Sequence, residues 1–474
     1  MQRKTDFLLS GLLLWCAAAY GISSDQITEI NKVMGTLHER GQFNGAILVA
    51  KNGKTLYRNG FGEANFQTSA AFTPETPSNI GSVTKQFTAM AIMMLAERKK
   101  LNYDDAVTKY IPEFSQSEHF SKVTLRHLLT HTSGIPDYGD LAIDDSTLDQ
   151  AGLISVFLKK QDALAQPGLR YRYSNPGYAL LGIVVERVSG KRLADFLEQE
   201  IFEPVGMSNT FVYDSPTKKT TKVAVGYNRF GDVDDGSPTE IPGDGGIYST
   251  VDDLSKWDQA LYTDKLVRQS TLSEAFAPAK IQQGTTSYGF GWNIVEEGTN
   301  KYLWHQGSQA GFRAFIGRHL TDKVTVIMLT NRGNTERQDI NTAIQNILTG
   351  KSYTLPPQSG AEKLYEVIHD SGIQSALQTF NALKNEKSPG FDLGEPELNS
   401  LGYELLNRDK RVSDAIVIFK LNAKEHPTSS NVFDSLGEAY WRNGDKALAM
   451  SSYQTAVRLD PTNGHAAEML AKLE

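Results

Sequence analysis

Ser82-Val83-Thr84-Lys85 sets a serine and a lysine three residues apart. On a helix that spacing puts both side chains on one face, so the amine reaches the hydroxyl as a base beside a nucleophile. The flanks favour a helix that starts here: residues 73–79 are rich in breakers, Gly81 lets backbone approach closely, and residues 86–98 carry an apolar helical pattern. A serine at such a junction lies among the free N–H groups of the first turn, at the positive end of the helix dipole. A developing oxyanion is stabilised there. Spacing alone does not single out this pair, because Ser215-Pro216-Thr217-Lys218 repeats it in a polar stretch with no apolar helix behind it.

Two further stretches could carry chemistry. Tyr173-Ser174-Asn175 follows the Pro167-Gly168 turn and precedes an apolar helical pattern over residues 178–188. A phenol and a carboxamide two apart on a loop can face one cleft, where Tyr173 could relay a proton and Asn175 could donate to a substrate carbonyl. Tyr57-Arg58-Asn59 has the same pattern in a strand, where alternation explains it without function. The other stretch, His305-Gln306-Gly307-Ser308, falls between two strand patterns, and His305 alone among nine histidines is followed two residues later by glycine. Gly307 would let a substrate lie against the strand, and His305 could offer a ring N–H. His131, followed by Gly134 and Pro136, reads instead as a hydrogen-bonded structural histidine at a helix end.

The elements that must position these groups are legible around them. Residues 25–40 read as a helix and residues 45–61 as a hairpin turning at Asn52-Gly53. Residues 311–317 and 324–331 look like an antiparallel pair, closed by a helix over 339–348. With 474 residues, 40% hydrophobic and 22% charged, the chain has the composition of a globular protein of two or three domains. Its net charge of -7 argues against nucleic acid or an anionic membrane as the main partner. Arg3 and Lys4 precede an apolar run over 7–19 that is too short to span a bilayer, so residues 1–21 are expected to be an export signal with no transmembrane anchor. The protein is then expected to be exported, either periplasmic or secreted. Cys16 is the one cysteine. With no cysteine set and no H-E-x-x-H, neither a metal nor another cofactor is expected.

Taken in order, the three motifs resemble those of the serine β-lactamase and penicillin-binding superfamily: S-x-x-K, then tyrosine- or serine-x-asparagine, then lysine- or histidine-x-glycine. The variant with Tyr173 and His305 is similar to the branch of class C β-lactamases, D-alanyl-D-alanine carboxypeptidases, D-aminopeptidases and related esterases. Residues 128–135, Pro167-Gly168 with Tyr171, Pro204-Val205-Gly206-Met207, residues 245–250 and residues 288–292 match that branch too. The resemblance spans residues 25–350. It implies an α/β fold, with an antiparallel sheet flanked by helices beside an all-helical lobe and the site in the seam. It implies that Ser82 forms an acyl-enzyme, Lys85 takes its proton, and Tyr173 passes it to the leaving group. Asn175, His305, Gly307 and Ser308 would bind substrate, with the N–H groups of Ser82 and Ser308 as the oxyanion hole. The class C enzymes carry lysine where this chain has His305, a weaker anchor for an anion. The expected activity is therefore hydrolysis of a small ester or peptide. The alternatives are a β-lactamase, or a non-catalytic scaffold whose tail binds a partner.

Past residue 350 the composition changes. Residues 351–361 hold Pro356-Pro357 and Ser359-Gly360 and read as a linker. Leu436-Gly437, Tyr440, Ala449, Tyr453, Ala456 and Pro461 fall at tetratricopeptide spacings, and Leu401-Gly402, Ala415, Phe419 and Pro427 form a looser copy with about one extra residue near its start. Residues 362–474 are expected to be an all-α repeat domain that either docks a peptide or protein or caps the enzyme.

Overall fold

The computed structural model describes residues 23–141, 148–214, 222–236, 241–282, 284–385 and 390–473. The expected export signal and the Ser215/Lys218 repeat of the first motif lie outside those residues. The chain divides into two compact units, Met1–Leu355 and Pro356–Glu474.

In the first unit, helix α1 (Ser24–Glu39) opens with a capping box in which Ser23 and Gln26 satisfy each other's backbone donors. Strands β1 (Gly45–Lys51) and β2 (Lys54–Phe61) follow as the expected hairpin. Asn52 and Gly53 both take positive φ, 50° and 75°, the geometry that a two-residue turn between twisted strands requires. Helix α2 (Thr84–Glu97) is buried on every side from Thr84 to Leu95, as a central core helix must be. The short α3 (Leu125–Leu129), α4 (Asn175–Ser189) and α5 (Val251–Ala260) belong to the mostly helical middle of the chain.

The sheet is completed by β3 (Asn293–Glu297), β4 (Asn300–Gln309), β5 (Phe312–His319) and β6 (Val324–Thr330), and α6 (Arg337–Leu348) closes the unit. The strand order is β3-β4-β5-β6-β1-β2 and every pairing is antiparallel, so the first hairpin lies beside the last strand. Alternation along β1 sends Ile47 and Val49 to one face, against Ile30, Met34 and Leu37 of α1 and Ile340 and Ile344 of α6. Ala46, Leu48 and Ala50 go to the other face, with Phe87 and Ile92 of α2 and the helical middle. The sheet is therefore buried on both sides, and α2 is held against the face from which the site is built.

The second unit is helical: α7 (Gly360–Ser371), α8 (Ile373–Lys384), α9 (Glu395–Tyr403), α10 (Val412–Glu425), α11 (Ser430–Asn443), α12 (Lys446–Leu459) and α13 (Gly464–Leu473). The expected linker 351–361 is not free chain. Tyr353 and Leu355 pack on the cluster between the sheet, α1 and α6, and helix resumes at Gly360. One contact recurs in this unit: Gly402 lies under the Phe419 ring and Gly437 under the Tyr453 ring, each too close to admit a methyl group. Between Gly402 and Phe419 the helix passes through a π-helical turn, Glu404–Arg408. Among the described residues no helix is long and apolar enough to cross a membrane.

Candidate active site

Ser82 stands in a 3-10 turn, Gly81–Val83, that runs into α2. Asn79 forms that turn by accepting the Gly81 N–H on its side chain at 2.8 Å. Lys85, one turn on, is fully buried. Its Nζ donates to Ser82 Oγ at 3.0 Å, to Asn175 Oδ1 at 2.6 Å and to the Asp244 carbonyl at 2.9 Å. All three acceptors are neutral oxygens, and no carboxylate among the described residues forms an ion pair with it. Thr88 donates to the Gly243 carbonyl at 2.7 Å, which ties the same chain segment to α2.

Asn175 begins α4, capped by Ser174, whose Oγ accepts the Gly177 N–H at 3.2 Å. Asp137 fixes the orientation of Asn175: its carboxylate accepts the Asn175 N–H at 2.9 Å and the Nδ2 amide at 3.1 Å, leaving Oδ1 turned to Lys85. The carboxamide thus supports the amine, with at most one amide hydrogen left for the substrate donation expected of it. The Tyr173 ring lies with its centroid 5.0 Å from Lys85 Nζ and 4.2 Å from the His131 ring.

His131 holds the Tyr173 loop from behind. At φ 56°, uncommon for a non-glycine residue, its carbonyl accepts the Arg172 N–H at 2.8 Å and its Nδ1 accepts the Ser174 N–H at 3.1 Å. Nδ1 is therefore unprotonated, and the N–H is on Nε2, buried among Tyr173, Tyr178 and Tyr288. Burial, and then the charge of Lys85, keeps His131 neutral far below the ordinary histidine range.

The third motif is on β4. Residues 300–304 pair with β3, while His305–Gln309 have a strand neighbour only in β5 among the described residues, which leaves an open edge beside Ser82. Contact between edge and turn is very close. A methyl group at Gly307 would stand 1.9 Å from the Ile80 carbonyl oxygen and 3.2 Å from the Ser82 nitrogen. One at Gly81, where φ is +49°, would stand 2.6 Å from the Ser308 nitrogen. Both glycines let the backbone nitrogens of Ser82 and Ser308 converge on one space.

His305 differs from its expected part. Nδ1 lies 2.7 Å from the Gln306 carbonyl and must donate to it, so Nε2 accepts from the Tyr288 hydroxyl at 2.9 Å. Both ring nitrogens are committed within the protein, and no ring N–H is left to offer a substrate. Burial, followed by Lys85, pushes its pKa down to about 3, so the ring is neutral at pH 7. Asp137, Tyr288 and the Asp244 carbonyl were not assigned from the sequence. Tyr288 had a signal, the Tyr-Gly-Phe-Gly-Trp stretch, whereas Asp137 had only its place after Pro136.

The chain as a whole is similar to known proteins. Residues 30–349 match the beta-lactamase family. Penicillin-binding protein 4* of Bacillus subtilis (strain 168) is 33% identical over 362 residues, covering 69% of this chain and 77% of its own. The octameric penicillin-binding protein homologue from Pyrococcus abyssi superposes with a TM-score of 0.61 at 29% identity, covering 72% of this chain and 82% of that one. A class C beta-lactamase shares the fold, with a TM-score of 0.60 at 21% identity, covering 70% of this chain and 98% of its own.

Proposed function

We propose that this chain, which belongs to the beta-lactamase family, hydrolyses an ester or a small peptide through an acyl-enzyme on Ser82. The observation that carries the reading is the Lys85 contact: a fully buried amine 3.0 Å from Ser82 Oγ, supported by neutral oxygens alone. In this mechanism Lys85 reacts as the free amine: it keeps its donations to Asn175 Oδ1 and the Asp244 carbonyl, and its lone pair, turned to Ser82, accepts the hydroxyl proton as Oγ attacks the carbonyl carbon. The oxyanion forms between the Ser82 and Ser308 N–H groups, whose nitrogens converge across the Gly81–Gly307 seam. Tyr173, over Lys85, passes the proton to the leaving alcohol or amine, and water, deprotonated by the same pair, releases the acid. Asn175 orients Lys85, and His305 and His131 hold Tyr288 and the Tyr173 loop in place.

Two wider parts of the reading follow from other features. The basic-then-apolar start supports export to the periplasm or the medium. The repeated glycine–aromatic contact in the second unit supports a tetratricopeptide-like array that docks a peptide or a protein.

Labelling with a fluorophosphonate or β-lactam probe, followed by peptide mass mapping, tests the assignment. The adduct is expected on Ser82, and an adduct on Ser133 or Ser308 instead would sink it. Lys85→Ala and Tyr173→Phe are each expected to slow acylation by about 10²–10⁴-fold while leaving the protein folded.

A further inference from the structure

Tyr171 stands two residues before Tyr173 on the loop that carries the second motif, and the mechanism gives it no part. Its ring is T-shaped to His131, with 6.0 Å between centroids and 88° between planes, and lies 6.0 Å from the Tyr288 ring at 43°. Those two rings also flank Tyr173, at 4.2 Å and 6.4 Å. Tyr171 thus continues the aromatic wall that holds the proton-relay tyrosine. His131 and Tyr288 are sealed in the interior, whereas Tyr171 is 40% exposed, and no other Phe, Tyr or Trp among the described residues of this unit is as open. Partial burial, and then Tyr173, pushes its hydroxyl up, so the ring is a neutral phenol.

An exposed aromatic ring is ordinary by itself. Two features set this one apart. The loop beneath it is fixed on both flanks: the Gly168 N–H donates to the Thr132 carbonyl at 2.7 Å, the Gln282 N–H to the Gly168 carbonyl at 3.0 Å and the Arg172 N–H to the His131 carbonyl at 2.8 Å, while the Arg172 guanidinium pairs with Asp140 at 2.7 Å. A ring held in this way loses little further freedom when it is covered. The second feature is position. The group that takes the Tyr173 proton must lie beside Tyr173, and the open ring that shares its neighbours His131 and Tyr288 is Tyr171. The departing half of a substrate therefore passes Tyr171, while the acyl half stays on Ser82.

Building on the proposed Ser82 hydrolase, we infer that Tyr171 is a leaving-group subsite for a flat aromatic ring, so that the preferred ester or peptide releases an aryl-bearing alcohol or amine. Aromatic rings favour edge-to-face neighbours, and such pairs are favourable beyond the area they cover. The contacts of Tyr171 with His131 and of Tyr173 with Tyr288 are already of that kind.

The test uses the full chain and the acetate esters of ethanol, 2-phenylethanol and 2-cyclohexylethanol. The two-carbon spacer keeps the acidities of the alcohols close, so differences in kcat/KM report contacts made by the leaving group. The phenylethyl ester is expected to exceed the ethyl ester by about tenfold or more and the cyclohexylethyl ester by about threefold. Tyr171→Ala should remove the advantage over the cyclohexylethyl ester and most of that over the ethyl ester, and Tyr171→Phe should keep both. A tyrosine that only braces the loop would, on removal, slow all three esters alike and leave the ratios as they were. That result overturns the subsite, as does a phenylethyl ester no better than either of the others in the unaltered protein. If Tyr171→Ala does not fold, inhibition of the unaltered protein decides. 2-Phenylethanol should inhibit competitively at lower concentration than 2-cyclohexylethanol, and equal or reversed potency overturns the proposal. Failure of the unaltered protein to label at Ser82 would instead remove the hydrolase reading beneath it.

Discussion

Replacing Gly307 with alanine adds one methyl group at the tightest point of the site. The methyl would sit 1.9 Å from the Ile80 oxygen and 2.7 Å from the Ile80 carbonyl carbon. Carbon and oxygen need about 3.2 Å, so the β4 edge and the nucleophile turn must part by roughly 1 Å in a core that is otherwise close-packed. That parting moves the Ser82 and Ser308 N–H groups away from each other. A 1 Å misplacement costs about 10²-fold, and loss of one oxyanion donor about 10²–10³-fold, so acylation should fall by about that factor. The stability cost should be smaller, about 1–3 kcal/mol of overpacking. The assay is the pseudo-first-order rate of fluorophosphonate labelling, read beside the thermal melt followed by circular dichroism. Gly81→Ala presses the same seam from the other side, 2.6 Å from the Ser308 nitrogen, so the double variant should lose much less than the product of the two single losses. A folded Gly307→Ala protein that labels within about threefold of the unaltered rate would refute the seam as the source of the oxyanion geometry.

Acid should unfold the first unit early. His305, near 3 in the folded state against about 6.5 unfolded, contributes stability that is full above about pH 6.5 and lost as pH falls toward 3, and His131, also held well below its usual range, acts in the same direction. His305 alone contributes up to about 1.4 kcal/mol per pH unit in that window, so urea titrations at pH 7 and pH 5 should differ, and His305→Gln should reduce the difference. Asp137→Ala frees the Asn175 amide to turn, and kcat/KM should drop by about ten- to a hundredfold. A double-mutant cycle with Asn175→Ala that shows no coupling would reject the orienting role. Gly437→Val drives a branched side chain into the Tyr453 ring and should lower the melting temperature of the second unit by several degrees without altering Ser82 labelling.

Features that depend on neighbours in sequence were readable from the residues alone. Asn52-Gly53 demanded its turn, and Ser82 and Lys85 share a helical face. What could not be read is set by long-range packing. Nothing near Asp137 reveals that it will meet Asn175, and nothing in His305-Gln306-Gly307 shows that the ring will turn inward to Tyr288. Residue type also misleads where burial decides: His305 has the chemistry of a ligand anchor, but with both nitrogens satisfied it is a strut.

The lodging of β1 between β2 and β6 has a consequence for how the protein comes into being. Asn44 and Asn331, buried partners at the end of that pairing, are 287 residues apart in the chain. At about 5–20 residues per second of synthesis, the first hairpin waits roughly 15–60 s for the strand that completes its sheet. In that interval its apolar faces and one strand edge are uncovered, which leaves the nascent chain open to association through that edge. Competence for acyl transfer should then arrive in one step, after β4 and β6 have emerged, and a chain stalled before residue 330 should carry Ser82 and Lys85 but no activity.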